Sequence, residues 1–185
     1  MSKNKNTTDN PEYNPASDGE VLVAVFNNTI YVKPFGFATQ QNALGLPDFL
    51  NAMFREGAKK VTFDLKECKG MDSTFLGVIA TAALSPAFRK KKNVLIINAE
   101  PNAKKQLQRI GLLDLVALKE EPCPPPPDLQ LSRVDFFHLP QSERERIARI
   151  KDLHKQLIQL NERNRQNFGA FVSMLEDELK DNNKT

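Results

Sequence analysis

Several familiar chemistries are missing from this sequence. It has no Walker-type phosphate loop, no Gly-x-Gly-x-x-Gly turn and no His-Glu-x-x-His pair. A P-loop nucleotidase, a dinucleotide-binding turn and a zinc-protease site are therefore excluded as motif-based readings. Its two histidines, His138 and His154, have no Cys or carboxylate set at ligand spacing. His154 reads as an interfacial residue rather than a metal ligand. The two cysteines, Cys68 and Cys123, form neither a redox nor a metal spacing, and no disulfide framework is indicated. A reducing compartment is the expectation. Cys68 follows a strand and reads as a small semi-buried apolar residue. Cys123 sits among prolines with no neighbouring base to activate it.

Charge of one sign is also scarce. The net charge is +3 over 185 residues, too little to imply a nucleic-acid partner. Long hydrophobic runs are absent: the most apolar segment, "FLGVIATAALSPAF", is shorter than a membrane span and contains Pro86. The opening "MSKNKNTTDNPEYNP" has no apolar region of the secretory kind. These absences predict a cytoplasmic, soluble protein with no cofactor, no metal, no nucleic acid and no membrane.

What is present divides the chain. Residues 1–19 are rich in Asn, Ser, Thr and Pro and lack the apolar content to order a tail. Residues 20–120 form a block of common domain size. Residues 121–141 contain "EPCPPPPD", a stiff proline-rich linker. Residues 142–180 predict a long amphipathic helix or a helical hairpin, with 181–185 as a tail.

Inside the central block, "EVLVAVF" and "NTIYVKP" are β-branched runs parted by Asn27 and Asn28, a hairpin signal. Leu46, Phe49, Leu50, Met53 and Phe54 share one helix face, closed by Gly57. "KVTFDL" is a strand. From Ser73, the residues Leu76, Ile79, Ala80, Ala83 and Phe88 predict a second helix, bent or ended near Pro86. "RKKK", Arg89 to Lys92, suits the end of that helix, where the dipole favours cations. "NVLIINA" reads as a buried central strand. "PNAKKQLQRIG" is a helix with Pro101 early and Gly111 as its stop. "LDLVAL" is a fifth strand. The order β-β-α-β-α-β-α-β predicts an α/β fold with a mixed sheet of about five strands covered by helices.

The C-terminal segment opens with Ser142 and Glu145, a capping box. Behind it, Ile150, Leu153, Leu157, Leu160, Asn164, Asn167, Phe171 and Met174 follow a seven-residue repeat. Coiled coils use an Asn at such positions to fix register. Towards the end the stripe drifts to Phe168, Val172, Leu175 and Leu179. Such a stripe needs a covering surface. It can pair with a second copy through Ile150, Leu153, Leu157, Leu160, Asn164, Phe168, Phe171 and Leu175, fold as a hairpin, or dock back on the domain. Basic residues gather early and Glu176, Asp177 and Glu178 late, so an antiparallel pairing brings opposite signs together.

The stretch "GMDSTFLG" carries the functional signal. With a helix starting at Ser73, Asp72 is the N-cap and Ser73 and Thr74 are first-turn hydroxyls. They follow the strand "KVTFDL", at the sheet end where sites gather in open α/β folds. A phosphoryl group there carries roughly −1.5 to −2 charges and is partly stabilised by the helix N-terminus. Capping alone also explains the tripeptide.

"MDSTFLGVIATA", between "KVTFDL" and "NVLIINA" and ahead of "KKQLQRIGLLDLVAL", resembles the STAS family, the anti-sigma-factor antagonists of bacteria. The matching residues are Asp72, Ser73, Thr74, Leu76 and Gly77, then Leu107, Gly111, Leu112 and Leu115. The resemblance implies a STAS-like fold and a non-enzymatic partner-switching regulator of transcription. It implies phosphorylation at Ser73, with Thr74 as second choice, by a GHKL-type serine kinase that is itself an anti-sigma factor. It also implies resetting by a PP2C-type phosphatase. Phe75 stands where the family most often has Gly, which predicts a more apolar partner face formed by Asp72, Phe75, Leu76 and Gly77. The alternative is a constitutive scaffold or adaptor that oligomerises through its C-terminal helix. No acid–base or nucleophile pair can be assembled from the sequence, so an enzyme is not expected.

Overall fold

In the computed structural model, residues 19–86, 93–120, 122–133 and 142–181 are described. Residues 1–18, the run Arg89–Lys92 with Phe88, and His138 lie outside them.

Two β-branched runs open the fold as a hairpin, β1 (Glu20–Phe26) and β2 (Thr29–Ala38). Asn27 and Asn28 both take positive φ, 49° and 57°, the backbone that a two-residue turn of matching twist requires. Alternate residues of β2 are buried, as the period of two demands. A single turn, α1 (Gln40–Ala43), leads to α2 (Leu46–Arg55). Then come β3 (Lys60–Asp64), β4 (Cys68–Met71), α3 (Ser73–Leu84), β5 (Val94–Ile97) and α4 (Pro101–Ile110). Gly111 ends α4 with φ 83°, a left-handed cap that suits glycine. The predicted fifth strand is shorter than expected: Leu112–Asp114 is a 3₁₀ turn and only Ala117–Lys119 pairs, as β6.

The sheet runs β6-β5-β3-β2-β1-β7, with β4 joined to β2. β1 is antiparallel to β2, whereas β3, β5 and β6 continue in parallel. This is the mixed α/β sheet expected, with two more strands than the sequence suggested. β4 pairs with the end of β2 across a register shift at Gly36/Phe37. β7 (Ser132–Arg133) is antiparallel to β1.

The proline-rich segment is therefore tied to the sheet rather than free of it. The Cys123 amide donates to Asn98 Oδ1 (2.9 Å), and Asn98 Nδ2 donates back to the Cys123 carbonyl (2.9 Å). Arg133 Nε pairs with Glu20 Oε2 at 3.1 Å.

The C-terminal stripe is broken into two antiparallel helices, α5 (Glu143–Ile158) and α6 (Glu162–Asp181). Ser142 caps α5 by accepting from the Glu145 amide. Asn161 Oδ1 accepts from the Asn164 amide at 2.9 Å, the geometry that starts a new helix. The opposite charges meet: Lys155 Nζ lies 2.6 Å from Glu176 Oε1, and Arg144 donates to the Leu179 carbonyl at 2.9 Å.

The hairpin docks on the domain. Leu153 and Leu157 join the apolar cluster formed by the sheet, α2, α3 and α4. Ile147, Ile150 and Leu175 form a second cluster with Leu44. Leu157 is fully buried; each such leucine contributes about 1.5–3 kcal/mol.

Candidate functional site

Asp72 is the hinge of the site. Its backbone is extended and its two carboxylate oxygens are divided between two helices. Oδ1 accepts from the Phe75 amide at 2.9 Å, capping α3. Oδ2 accepts from the Gln40 amide at 2.7 Å, at the start of α1. A first-turn N–H group has no intrahelical acceptor, so one carboxylate here satisfies two orphan donors. The Asp72 amide in turn donates to Ala38 O at 3.0 Å, which fixes the cap against the end of β2.

Ser73, the first residue of α3, is half-buried. Its Oγ lies 2.8 Å from His154 Nε2, on a helix 81 residues further along the chain. The other ring nitrogen, Nδ1, lies 2.8 Å from the Ile150 carbonyl. A carbonyl can only accept, so Nδ1 carries a hydrogen. Burial pushes the His154 pKa down, against weaker opposing pulls from the Ile150 carbonyl and the Asp72 charge. The ring is therefore neutral near pH 7, and Nε2 is an acceptor for the Ser73 hydroxyl, which donates. The rings of Phe168 and Phe171 stand edge-on to the imidazole, with centroids 5.7 and 4.8 Å away.

Four residues along α3, Gly77 lies against α5. A Cβ at position 77 would be 2.8 Å from the Leu153 carbonyl oxygen and 2.9 Å from its Cβ. The two helices cross here because one of them has no side chain.

The remaining predicted residues fall differently. Thr74 is 3 % exposed, which removes it as an accessible second phosphorylation site. Phe75 is fully buried and stacks edge-to-face on Phe63, with centroids 6.3 Å apart. Its ring fills the core and gives no apolar partner face, contrary to the expectation. Leu76 is buried as well. Of the expected oligomer seam, Ile150, Leu153, Leu157, Asn164 and Leu175 are buried within the chain, and Leu160 and Phe168 pack partly buried on its core. They are spent inside the chain rather than on a second copy. Phe171 keeps 37 % of its surface. Asn164 is no register device between helices of two chains. Its Nδ2 donates to the Ile110 carbonyl (2.9 Å) and the Leu157 carbonyl (3.0 Å), two helix-end carbonyls. Asn161 adds a second donor to Ile110 at 3.0 Å.

Elsewhere the hairpin is held by Arg149, which donates to the Leu44 carbonyl and to Asp48 Oδ2 (2.6 Å). Among the described residues there is no cluster of three or more metal-ligating side chains. No described helix is long and apolar enough to cross a membrane.

The partnership of Ser73 with His154 was not read from the sequence. One signal bore on it. Along "TFLGVIATAAL" the only polar side chains are Thr74 and Thr81, so α3 has no wide polar face. A helix apolar on both sides needs covering on both sides. The sheet covers one and α5 the other.

No protein-family model and no curated protein sequence matches the chain. Among solved structures, the anti-sigma factor antagonist SpoIIAA in its unphosphorylated form is similar over 55% of this chain and 89% of its own, at 15% identity and a TM-score of 0.47. A candidate anti-sigma factor antagonist from Thermotoga maritima is similar over 54% of this chain and 85% of its own, at 15% identity and a TM-score of 0.46. The phosphorylated form of the Bacillus cell-fate determinant SpoIIAA is similar over 54% and 90%, at 18% identity and a TM-score of 0.43.

Proposed function

We propose that this chain is a non-enzymatic partner-switching regulator of the anti-sigma-factor-antagonist kind, set by reversible phosphorylation of Ser73. The observation that carries this reading is the position of the Ser73 hydroxyl. It is the first residue of α3, directly behind the Asp72 cap, where free N–H groups favour an added anion. Transfer from a nucleoside triphosphate forms the Oγ–P bond and breaks the bond from that phosphorus to the β–γ bridging oxygen. The nucleoside diphosphate departs, and the hydroxyl proton passes to the kinase's base. The enzymes that the family resemblance implies are a GHKL-type serine kinase acting as anti-sigma factor and a PP2C-type phosphatase. With the Asp72 cap kept, a helix end that carries the Asp72 charge gains roughly −1.5 to −2 more.

A serine within 2.8 Å of an imidazole is also the pairing of a nucleophile and its base. Here the imidazole is buried between two phenylalanine rings, and a backbone carbonyl rather than a carboxylate orients it. That environment suits a docking contact better than repeated proton transfer.

Phosphosite mapping by mass spectrometry on protein from its own cells, joined to capture of partners on unphosphorylated protein, tests the reading. The expected result is phosphate on Ser73 and a partner held by Ser73→Ala but released by Ser73→Asp. Absence of phosphate at Ser73, with the two variants binding alike, leaves the scaffold as the surviving reading.

A further inference from the structure

The site proposed for phosphorylation is covered by the protein's own C-terminal hairpin. Three observations define the cover. Ser73 Oγ and His154 Nε2 are 2.8 Å apart, a gap that cannot admit a phosphorus atom bearing three further oxygens. Gly77 is in contact with the backbone of Leu153, so the next turn of α3 is covered as well. Leu153 and Leu157 belong to the same apolar cluster as α3, so the cover is packed rather than merely adjacent.

We infer that the hairpin is an intramolecular competitor: docking of α5 on α3 and phosphorylation of Ser73 exclude one another, with His154 as the contact that senses the phosphate. This rests on the reading of Ser73 as the phosphorylation site. In the docked state the serine hydroxyl donates to a neutral imidazole. Esterified, Oγ has no hydrogen to donate, and phosphate oxygens face the lone pair of Nε2. The ring must then either give way to the phosphoryl group or take up a proton that its burial disfavours. The ring is held where it is by Phe168, Phe171 and the Ile150 carbonyl. Relief comes from moving α5 away.

The uncovered face also has a defined shape. Gly77 lets a backbone approach α3 closely, and α5 uses that approach as a helix. A partner that takes the place of α5 therefore presents a helix crossing α3 at Gly77. By reciprocity, a kinase gains access to Ser73 only in the fraction of molecules whose hairpin is undocked, and phosphate then holds that fraction open.

The test is hydrogen exchange on the full chain with phosphoserine installed at position 73 by codon suppression, against the unmodified chain. Amides of α5 are expected to exchange about tenfold faster or more in the phosphoserine protein, while those of β2, β3 and β5 keep their protection. In the His154→Ala background, the phosphoserine effect on α5 is expected to shrink. Unchanged protection of α5 in the phosphoserine protein overturns the inference. If the phosphoserine chain does not fold, Ser73→Asp against Ser73→Ala gives the same reading, and equal α5 exchange in those two variants also overturns it. Neither outcome depends on whether cells phosphorylate Ser73, which mass spectrometry decides separately. Loss of the switch function and loss of the competition are thereby told apart.

Discussion

Gly77 and Leu153 are in backbone contact: a Cβ on the glycine would sit 2.8 Å from the leucine's carbonyl oxygen. A helix interior ordinarily gains about 1 kcal/mol when Gly is replaced by Ala. Here the added methyl meets backbone, which cannot swing aside as a side-chain tip can. Gly77→Ala is therefore expected to weaken docking of α5, for a net loss of about 1–3 kcal/mol. Urea denaturation with α5 exchange as a second probe reads this. A stabilised protein with α5 still protected would show that the helices have slack to separate.

His154 makes docking sensitive to acid. Its pKa is lowered in the folded state, chiefly by burial, from an ordinary 6.5. The unfolded or undocked state therefore binds a proton first as pH falls. The stability from the neutral ring is complete above about 6.5 and is lost progressively as pH drops from there towards the folded value. Thermal melts at pH 7.5 and 5.5 should show wild type losing more stability than His154→Gln, which has no charge to acquire. Equal losses would place the acid sensitivity elsewhere.

Asp72→Ala removes acceptors for the Phe75 and Gln40 amides together. Loss of a helix cap costs about 0.5–2 kcal/mol, and the second orphaned amide places this variant in the upper part of that range. Asp72→Asn keeps one acceptor oxygen and is expected to fall between. Chemical denaturation of the three proteins gives the order directly.

Asn164→Leu leaves the Ile110 and Leu157 carbonyls without a donor that they have in the native chain. Asn161 still reaches Ile110 and the Leu160 amide still reaches Leu157, so each carbonyl keeps a donor and loses one. A loss of about 1–3 kcal/mol is expected from two lost hydrogen bonds at about 0.5–1.5 kcal/mol each. Sedimentation should give the same mass for wild type and variant. A change in oligomeric state on this substitution would favour the coiled-coil role that the seven-residue spacing suggested.

The regular elements of the sheet domain were legible because local rules decide them. Asn27-Asn28 made its turn, Pro101 and Gly111 bounded α4, and the Asp72 cap set the start of α3. β4 was not legible, since "CKGM" is four residues with a glycine and pairs only with the irregular end of β2. The break between α5 and α6 was hidden in a different way. It has neither Gly nor Pro, and the apolar spacing runs through Leu157 and Leu160 without interruption. Of the two polar positions that looked like a buried coiled-coil Asn, Asn164 is a clamp on two carbonyls and Asn167 is exposed, while the helix is started by Asn161, outside the repeat. The meeting of Ser73 with His154 depends on where that break lets the chain turn back, and no local pattern specifies it.

The two-residue strand β7 has a consequence for how this chain tolerates being shortened. β1 is a seven-residue run of largely β-branched and apolar residues, and Ser132 and Arg133 supply its outer neighbour at Leu22 and Val23. A chain ending at Glu120, the natural place to cut a minimal domain, would leave β1 without that partner at Leu22 and Val23. Unpaired edges of this composition recruit strands from other molecules. Ser132 and Arg133 thus close part of the β1 edge, and a shortened protein, which also loses the hairpin over α3, would open two surfaces to self-association at once.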